Sequence, residues 1–116
     1  MQQGQSIPEA KSKENYNGYG IEWLIRGAKE LTLGRTTIAV GANNPLHRHP
    51  NCEEALYVLS GRINHKIAGT PDVVLATGEA IVIPRNINHQ AFNIGTEPAV
   101  LLVAFSSGDR QTIIQE

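Results

Sequence analysis

Glu53-Glu54-Ala55-Leu56-Tyr57-Val58-Leu59-Ser60-Gly61-Arg62-Ile63-Asn64-His65-Lys66-Ile67-Ala68-Gly69 is the stretch on which the fold turns. Two short aliphatic runs, Glu53 to Ser60 and Arg62 to Ala68, meet at Ser60-Gly61 and are closed by Gly69-Thr70-Pro71-Asp72. Runs this short, bounded by turn residues, predict strands. The same texture continues downstream in Val73 to Ala76, Ala80 to Ile83, His89 to Ile94 and Ala99 to Phe105, separated by Thr77-Gly78, Pro84-Arg85-Asn86 and Gly95-Thr96-Glu97-Pro98. Upstream, Ile21 to Arg26 and Leu31 to Val40 flank the turn Gly27-Ala28-Lys29-Glu30, and Gly41-Ala42-Asn43-Asn44-Pro45 ends the second run. No window sustains the i, i+3, i+4 apolar spacing of a long amphipathic helix. The expectation is an all-β sandwich or barrel of eight or nine strands.

Composition narrows the class. At 116 residues the chain is one domain, long enough to close a core without covalent staples. Cys52 is the only cysteine, so no internal disulfide can form, and a lone thiol suits a reducing compartment. A net charge of −1 gives no field for nucleic acid or an anionic membrane. Met1 to Gly20 lacks the apolar core of a secretory signal, and no apolar run is long enough to span a bilayer. These features predict a cytoplasmic protein with no nucleic-acid or membrane partner. Residues 1–20 read as a flexible polar arm, 21–108 as the barrel and 109–116 as a solvated tail.

His47 and His49 are two apart, so on an extended chain both imidazoles point to one face. Glu54 opens the next strand; the simplest hairpin makes that strand an antiparallel neighbour and turns its carboxylate to the same interior. Periodicity alone leaves His89, after the Pro84-Arg85-Asn86 turn, unassigned.

Here the sequence resembles the cupin superfamily. Gly41, His47, His49, Glu54 and Gly61 follow its first motif, G-x5-H-x-H-x4-E-x6-G; Gly78, Pro84, His89 and Asn93 follow its second, G-x5-P-x-G-x2-H-x3-N. Asn86 departs from the pattern by standing where the family has Gly; it is the residue next most tolerant of the left-handed region. The resemblance implies a small single-domain cupin, a jelly-roll barrel or double-stranded β-helix. It also implies a metal site of His47, His49, Glu54 and His89. Three imidazoles and a carboxylate suit a divalent transition metal, Fe, Mn, Ni or Zn, and in an octahedral sphere leave two positions open for a small molecule.

Glu53 and Glu54 face opposite ways, and only Glu54 keeps the motif spacing to Gly61. Leu56 and Val58 should face inward with Glu54, while Tyr57 should face away. His65 matches no motif position and is expected exposed or at a rim; Cys52 is expected as a plain turn residue rather than a redox thiol.

Cupins share fold and ligands while differing in chemistry, so the fold does not choose the reaction. The leading expectation is a small metalloenzyme with dioxygenase-, lyase- or isomerase-like chemistry on a small organic molecule. The alternative is a non-catalytic small-molecule binding or sensing module. Ala99 to Phe105 is apolar on both faces, and Ala55, Tyr57 and Leu59 make the outward set of their strand apolar. A homodimer is therefore expected, unless the segment around Trp23 and Ile25 covers those faces.

Overall fold

Strands form where the apolar alternation ends in glycine- or proline-bearing turns. The computed structural model describes residues 12–115, together with Gly4 and Ser6. In chain order the strands are β1 (Ser12–Asn15), β2 (Tyr19–Ile25), β3 (Thr32–Ile38), β4 (His47–Arg48), β5 (Glu54–Ser60), β6 (Arg62–Ile67), β7 (Val73–Ala76), β8 (Ala80–Ile83), β9 (His89–Asn93), β10 (Ala99–Phe105) and β11 (Ile113–Ile114). No helix occurs among the described residues. The strands make two antiparallel sheets, β1-β2-β3-β10-β5-β8 and β11-β4-β9-β6-β7, in the jelly-roll arrangement expected.

Alternation decides which side chains enter the space between the sheets. Glu54, Leu56 and Val58 of β5 are buried, as are Ile63, His65 and Ile67 of β6, His89, Ala91 and Asn93 of β9, and Ala99, Leu101, Val103 and Phe105 of β10. The core is aliphatic where Val58 pairs with Leu101 and polar where Glu54 pairs with Phe105, so the site lies at one end of the barrel. Asn93, the last motif residue, ties the sheets together: its Nδ2 donates to Ile38 O and Glu97 O, both at 2.9 Å, and its Oδ1 accepts from Gly95 N–H.

Two motif turns have direct physical reasons. Gly61 has φ 95°, and a Cβ there would lie 2.9 Å from Ala99 Cα, so no other residue fits. Asn86 has φ 61° and is the one non-glycine residue with positive φ among those described. It keeps the conformation for which the family uses glycine.

Four expectations are corrected here. β4 does not form a hairpin with β5: it pairs with β9 and β11, and β5 belongs to the opposite sheet. Residues 12–20, expected within the arm, include β1, which pairs with β2 from Ser12 opposite Trp23 to Asn15 opposite Gly20. The remainder of the arm, apart from Gly4 and Ser6, falls outside the described residues. The tail is not simply solvated, because Ile113 and Ile114 of β11 pair with Arg48 and His47. Finally, β2 lies edge-on beside β3 and sends Trp23 inward, 4% exposed, so it does not cover the outer face of the sheet.

Candidate metal centre

His47, His49, Glu54 and His89 offer ligand atoms that all lie within 4.8 Å of one another. Each arrives from a different constraint. His47 and His89 are cross-strand partners on β4 and β9, with ring centroids 4.2 Å apart. His49 follows β4 by alternation, and Glu54 reaches across from the facing sheet. Except for His47, which is half-buried, these residues are buried.

Backbone carbonyls orient the rings. Nδ1 of His47 lies 2.6 Å from Pro45 O, Nδ1 of His49 lies 2.9 Å from Gln111 O, and Nδ1 of His89 lies 2.9 Å from Ile87 O. A carbonyl oxygen only accepts, so each Nδ1 carries the proton and donates it. In its neutral form each ring therefore presents a bare Nε2 lone pair. Nε2 of His49 and Nε2 of His89 each stand 3.1 Å from Glu54 Oε1, and Nε2 of His49 is buried without a hydrogen-bond partner. Lone pairs facing a carboxylate repel unless a proton or a cation lies between them. One proton can bridge a single pair, whereas a cation satisfies the whole set, and carbonyl-anchored imidazoles are the usual second layer of a metal site. The residues fit a divalent metal.

The electrostatics agree. Burial pushes the Glu54 carboxyl up, but its 3.1 Å contacts with the imidazoles of His49 and His89 outweigh that and hold the group below the usual carboxylate range. Burial lowers His89, yet the Glu54 carboxylate overcomes this and its pKa ends raised. His47 is lowered to about 4, by burial first and then by the charge of His89.

The expectations for neighbouring residues divide. Glu53 is exposed while Glu54 is 5% exposed, and Tyr57 faces out while Leu56 and Val58 face in, all as alternation predicts. Cys52 is buried in the core and burial pushes its thiol up, which removes the thiolate a redox role needs. His65 corrects the expectation of exposure: it is 1% exposed, lines the same cavity, and its ring stands 5.5 Å from that of His89. Its Nδ1 is buried without a partner, and burial lowers its pKa to about 4, so it is a neutral imidazole at neutral pH. The signal was available, since His65 shares its parity with the inward Ile63 and Ile67. Arg110, which also lines the cavity, sits in a polar tail with no periodicity to reveal it.

The cavity holds about 220 Å³. Leu56, Leu101, Val103 and Phe105 make its apolar wall, and Glu14, Tyr19, Trp23 and Arg110 border it further out from the ligand set in the sequence.

A family model described as Cupin domain matches residues 34–105. Germin-like protein 3-8 of Oryza sativa subsp. japonica is 36% identical over 81 residues, covering 66% of this chain and 36% of that protein. Oxalate oxidase 1 of Hordeum vulgare is 33% identical over 93 residues, covering 74% of this chain and 46% of that protein. The chain thus spans less than half the length of these curated relatives. Among solved structures, a recombinant oxalate oxidase in complex with glycolate superposes with TM-score 0.79 at 24% identity, over 94% of this chain and 62% of that one. An S161A mutant of Bacillus subtilis oxalate decarboxylase superposes with TM-score 0.83 at 22% identity, over 90% of this chain and 30% of that one. At these identities the superpositions establish the fold alone. With the family model spanning more than half the chain and both motifs in place, the chain belongs to the cupin family.

Proposed function

We propose that this chain is a small metalloenzyme that holds a divalent transition metal through Nε2 of His47, His49 and His89 and a carboxylate oxygen of Glu54. In this reading it acts on a small organic molecule with oxygenase-, lyase- or isomerase-like chemistry. The observation that carries the reading is the donation of all three Nδ1–H groups to backbone carbonyls, which leaves the Nε2 lone pairs converging on one carboxylate. When bound, the metal supplies Lewis acidity and, for a redox-active ion, one-electron exchange. The chain's own residues do the rest. Leu56, Val103 and Phe105 give the ligand set an apolar wall, and the carbonyls of Pro45, Ile87 and Gln111 fix the ring orientations. His65, neutral and not among the ligands, offers one donor and one acceptor beside His89.

The cavity falls below the roughly 300 Å³ at which pockets for drug-sized ligands begin, which supports a substrate of few heavy atoms. Relatives named oxalate oxidase and a structural neighbour named oxalate decarboxylase also support a small organic substrate. The test is elemental analysis of protein purified without added metal, followed by an oxygen-consumption and product screen over small organic molecules. One equivalent of metal and turnover of one compound class are expected. A metal content near zero that added Mn(II), Fe(II), Ni(II) or Zn(II) cannot raise would sink the reading. Metal and ligand binding without turnover would leave a binding module instead.

A further inference from the structure

Among the described residues, Arg110 is the one basic residue other than histidine on the cavity lining. Its guanidinium carbon stands 4.4 Å from the ring centre of Trp23 and 5.2 Å from that of Phe105, and the Phe105 ring packs 4.8 Å from that of His49. The side chain is half-buried, yet it makes no ion pair among the described residues. Among the described residues its one hydrogen bond to a side chain runs from Nη1 to Thr112 Oγ1 at 2.6 Å, which leaves most of the five-donor fork free of such partners there. Burial lowers its pKa against the opposing pull of the Glu14 and Glu54 charges, neither of which lies within ion-pair distance of the guanidinium.

The segment that carries it is fixed. Asn51 Nδ2 donates to Asp109 O at 2.7 Å, and Gln111 N–H donates to Asn51 Oδ1 at 3.0 Å. The next two residues hold a proposed ligand: Gln111 O accepts from His49 Nδ1–H, and Thr112 Oγ1 lies 3.2 Å from the same nitrogen. One short stretch therefore positions both His49 and Arg110. The two carboxylates on the described lining hold other hydrogen-bond or ligand partners, although the Glu14 charge also acts on Arg110. Glu54 faces the imidazoles, and Glu14 accepts from Tyr16 Oη at 2.6 Å and from Trp23 Nε1 at 2.8 Å. With a divalent cation on the ligand set and neutral histidines, two carboxylates and one guanidinium leave the lining net positive. A monoanion neutralises it.

We propose that Arg110 is the substrate's carboxylate anchor, so that the substrate class is a small oxygen-bearing carboxylic acid whose carboxylate pairs with Arg110 while a second oxygen faces the metal ligands. This rests on the metalloenzyme reading for the second oxygen and for the net positive lining, whereas the unused guanidinium fork is a feature of the chain itself. A planar guanidinium held against two aromatic rings suits two-point pairing with a carboxylate, a geometry that neither an amide nor an alcohol offers.

Trp23 is the chain's single tryptophan and lies against Arg110, so its fluorescence reports on the anchor. Sodium glycolate and its neutral isostere glycolamide are titrated into Mn(II)-loaded and metal-stripped protein, with metal content measured in each sample. The wild type is expected to bind glycolate on the order of tenfold to a hundredfold more tightly than glycolamide. Arg110→Met keeps an unbranched apolar stem on Trp23 and should lose that preference, with glycolamide affinity, metal content and melting temperature unchanged. Arg110→Lys keeps the charge and should retain part of the preference. A purely packing role would weaken both ligands alike or neither, so a preference for glycolate that survives in Arg110→Met overturns the anchor. So does a wild type that binds no glycolate at millimolar concentration. The metal content separates the two failures: protein that takes up no metal sinks the enzyme reading, whereas loaded protein that shows no Arg110-dependent preference for glycolate overturns the anchor alone.

Discussion

Glu53 and Glu54 show what one residue of register is worth. They are chemically alike and adjacent, but a strand turns neighbouring side chains to opposite faces, and only Glu54 meets the imidazoles. Glu54→Ala or His49→Ala is expected to abolish stoichiometric metal binding, and Glu53→Ala to leave it intact. Calorimetric titration with Mn(II) or Zn(II) checks this, and metal loss in Glu53→Ala alone would refute the register. The pH dependence follows from the same contacts. A ligating imidazole must be free at Nε2, and in the metal-free protein Glu54 raises the pKa of His89 above its ordinary value. Protons therefore compete with the metal at His89 from above about pH 6.5 downward. Metal affinity should fall as pH drops through the range in which His89 protonates, with proton uptake by the released ligands, and affinity that holds constant down to about pH 4 would exclude histidine ligation. At this scale the sequence was nearly transparent, because spacing and parity decide orientation. His65 is the exception: its parity placed it inside, yet the absence of a motif position favoured exposure.

The elements were legible where they are long and alternate, and less so where they are short. The expected runs for β5 to β10 match the observed strands to within a residue or so at each end. The two-residue strands β4 and β11 carry too few residues for any periodicity, so the partner of β4 and the role of the tail could not be read. Sheet membership is also non-local: a five-residue separation between His49 and Glu54 permits a hairpin, and the chain instead crosses to the facing sheet. The turn before β9 was legible because its backbone demand is local. Asn86 at φ 61° donates its N–H to His49 O at 2.8 Å, which links the turn to the segment bearing the first two histidines. Asn86→Gly should be neutral or slightly stabilising. Asn86→Val should destabilise by on the order of 1–2 kcal/mol, since a β-branched side chain fits the left-handed region poorly. Equal melting temperatures for the two variants would show that the turn tolerates any side chain.

The whole molecule has a face that its own fold leaves uncovered. On the outer side of the larger sheet, Ala55 pairs with Val82 on one side and Ala104 on the other, while Tyr57 pairs with Ala80 and Leu102. Tyr57 and Leu59 are each 41% exposed and Val82 is 60% exposed. The segment offered as an alternative cover, around Trp23 and Ile25, extends the sheet at β3 and so cannot lie across it. We propose that this face packs on a second copy about a two-fold axis, which brings like patches together and closes the assembly. Monomers rarely expose contiguous apolar patches beyond roughly a few hundred Å². The polar Glu22–Arg35 pair farther along the same sheet would mark the rim, with its bidentate contacts at 3.2 Å left near water. Light scattering at micromolar concentration should give the mass of a dimer. Val82→Lys, placed at the most exposed apolar position of the patch, should shift the mass toward the monomer while leaving metal content unchanged. The two readouts separate assembly from folding, because Val82 points away from the cavity that the four ligand residues line. A monomer mass for the wild type would leave the apolar face unpaired and sink the dimer.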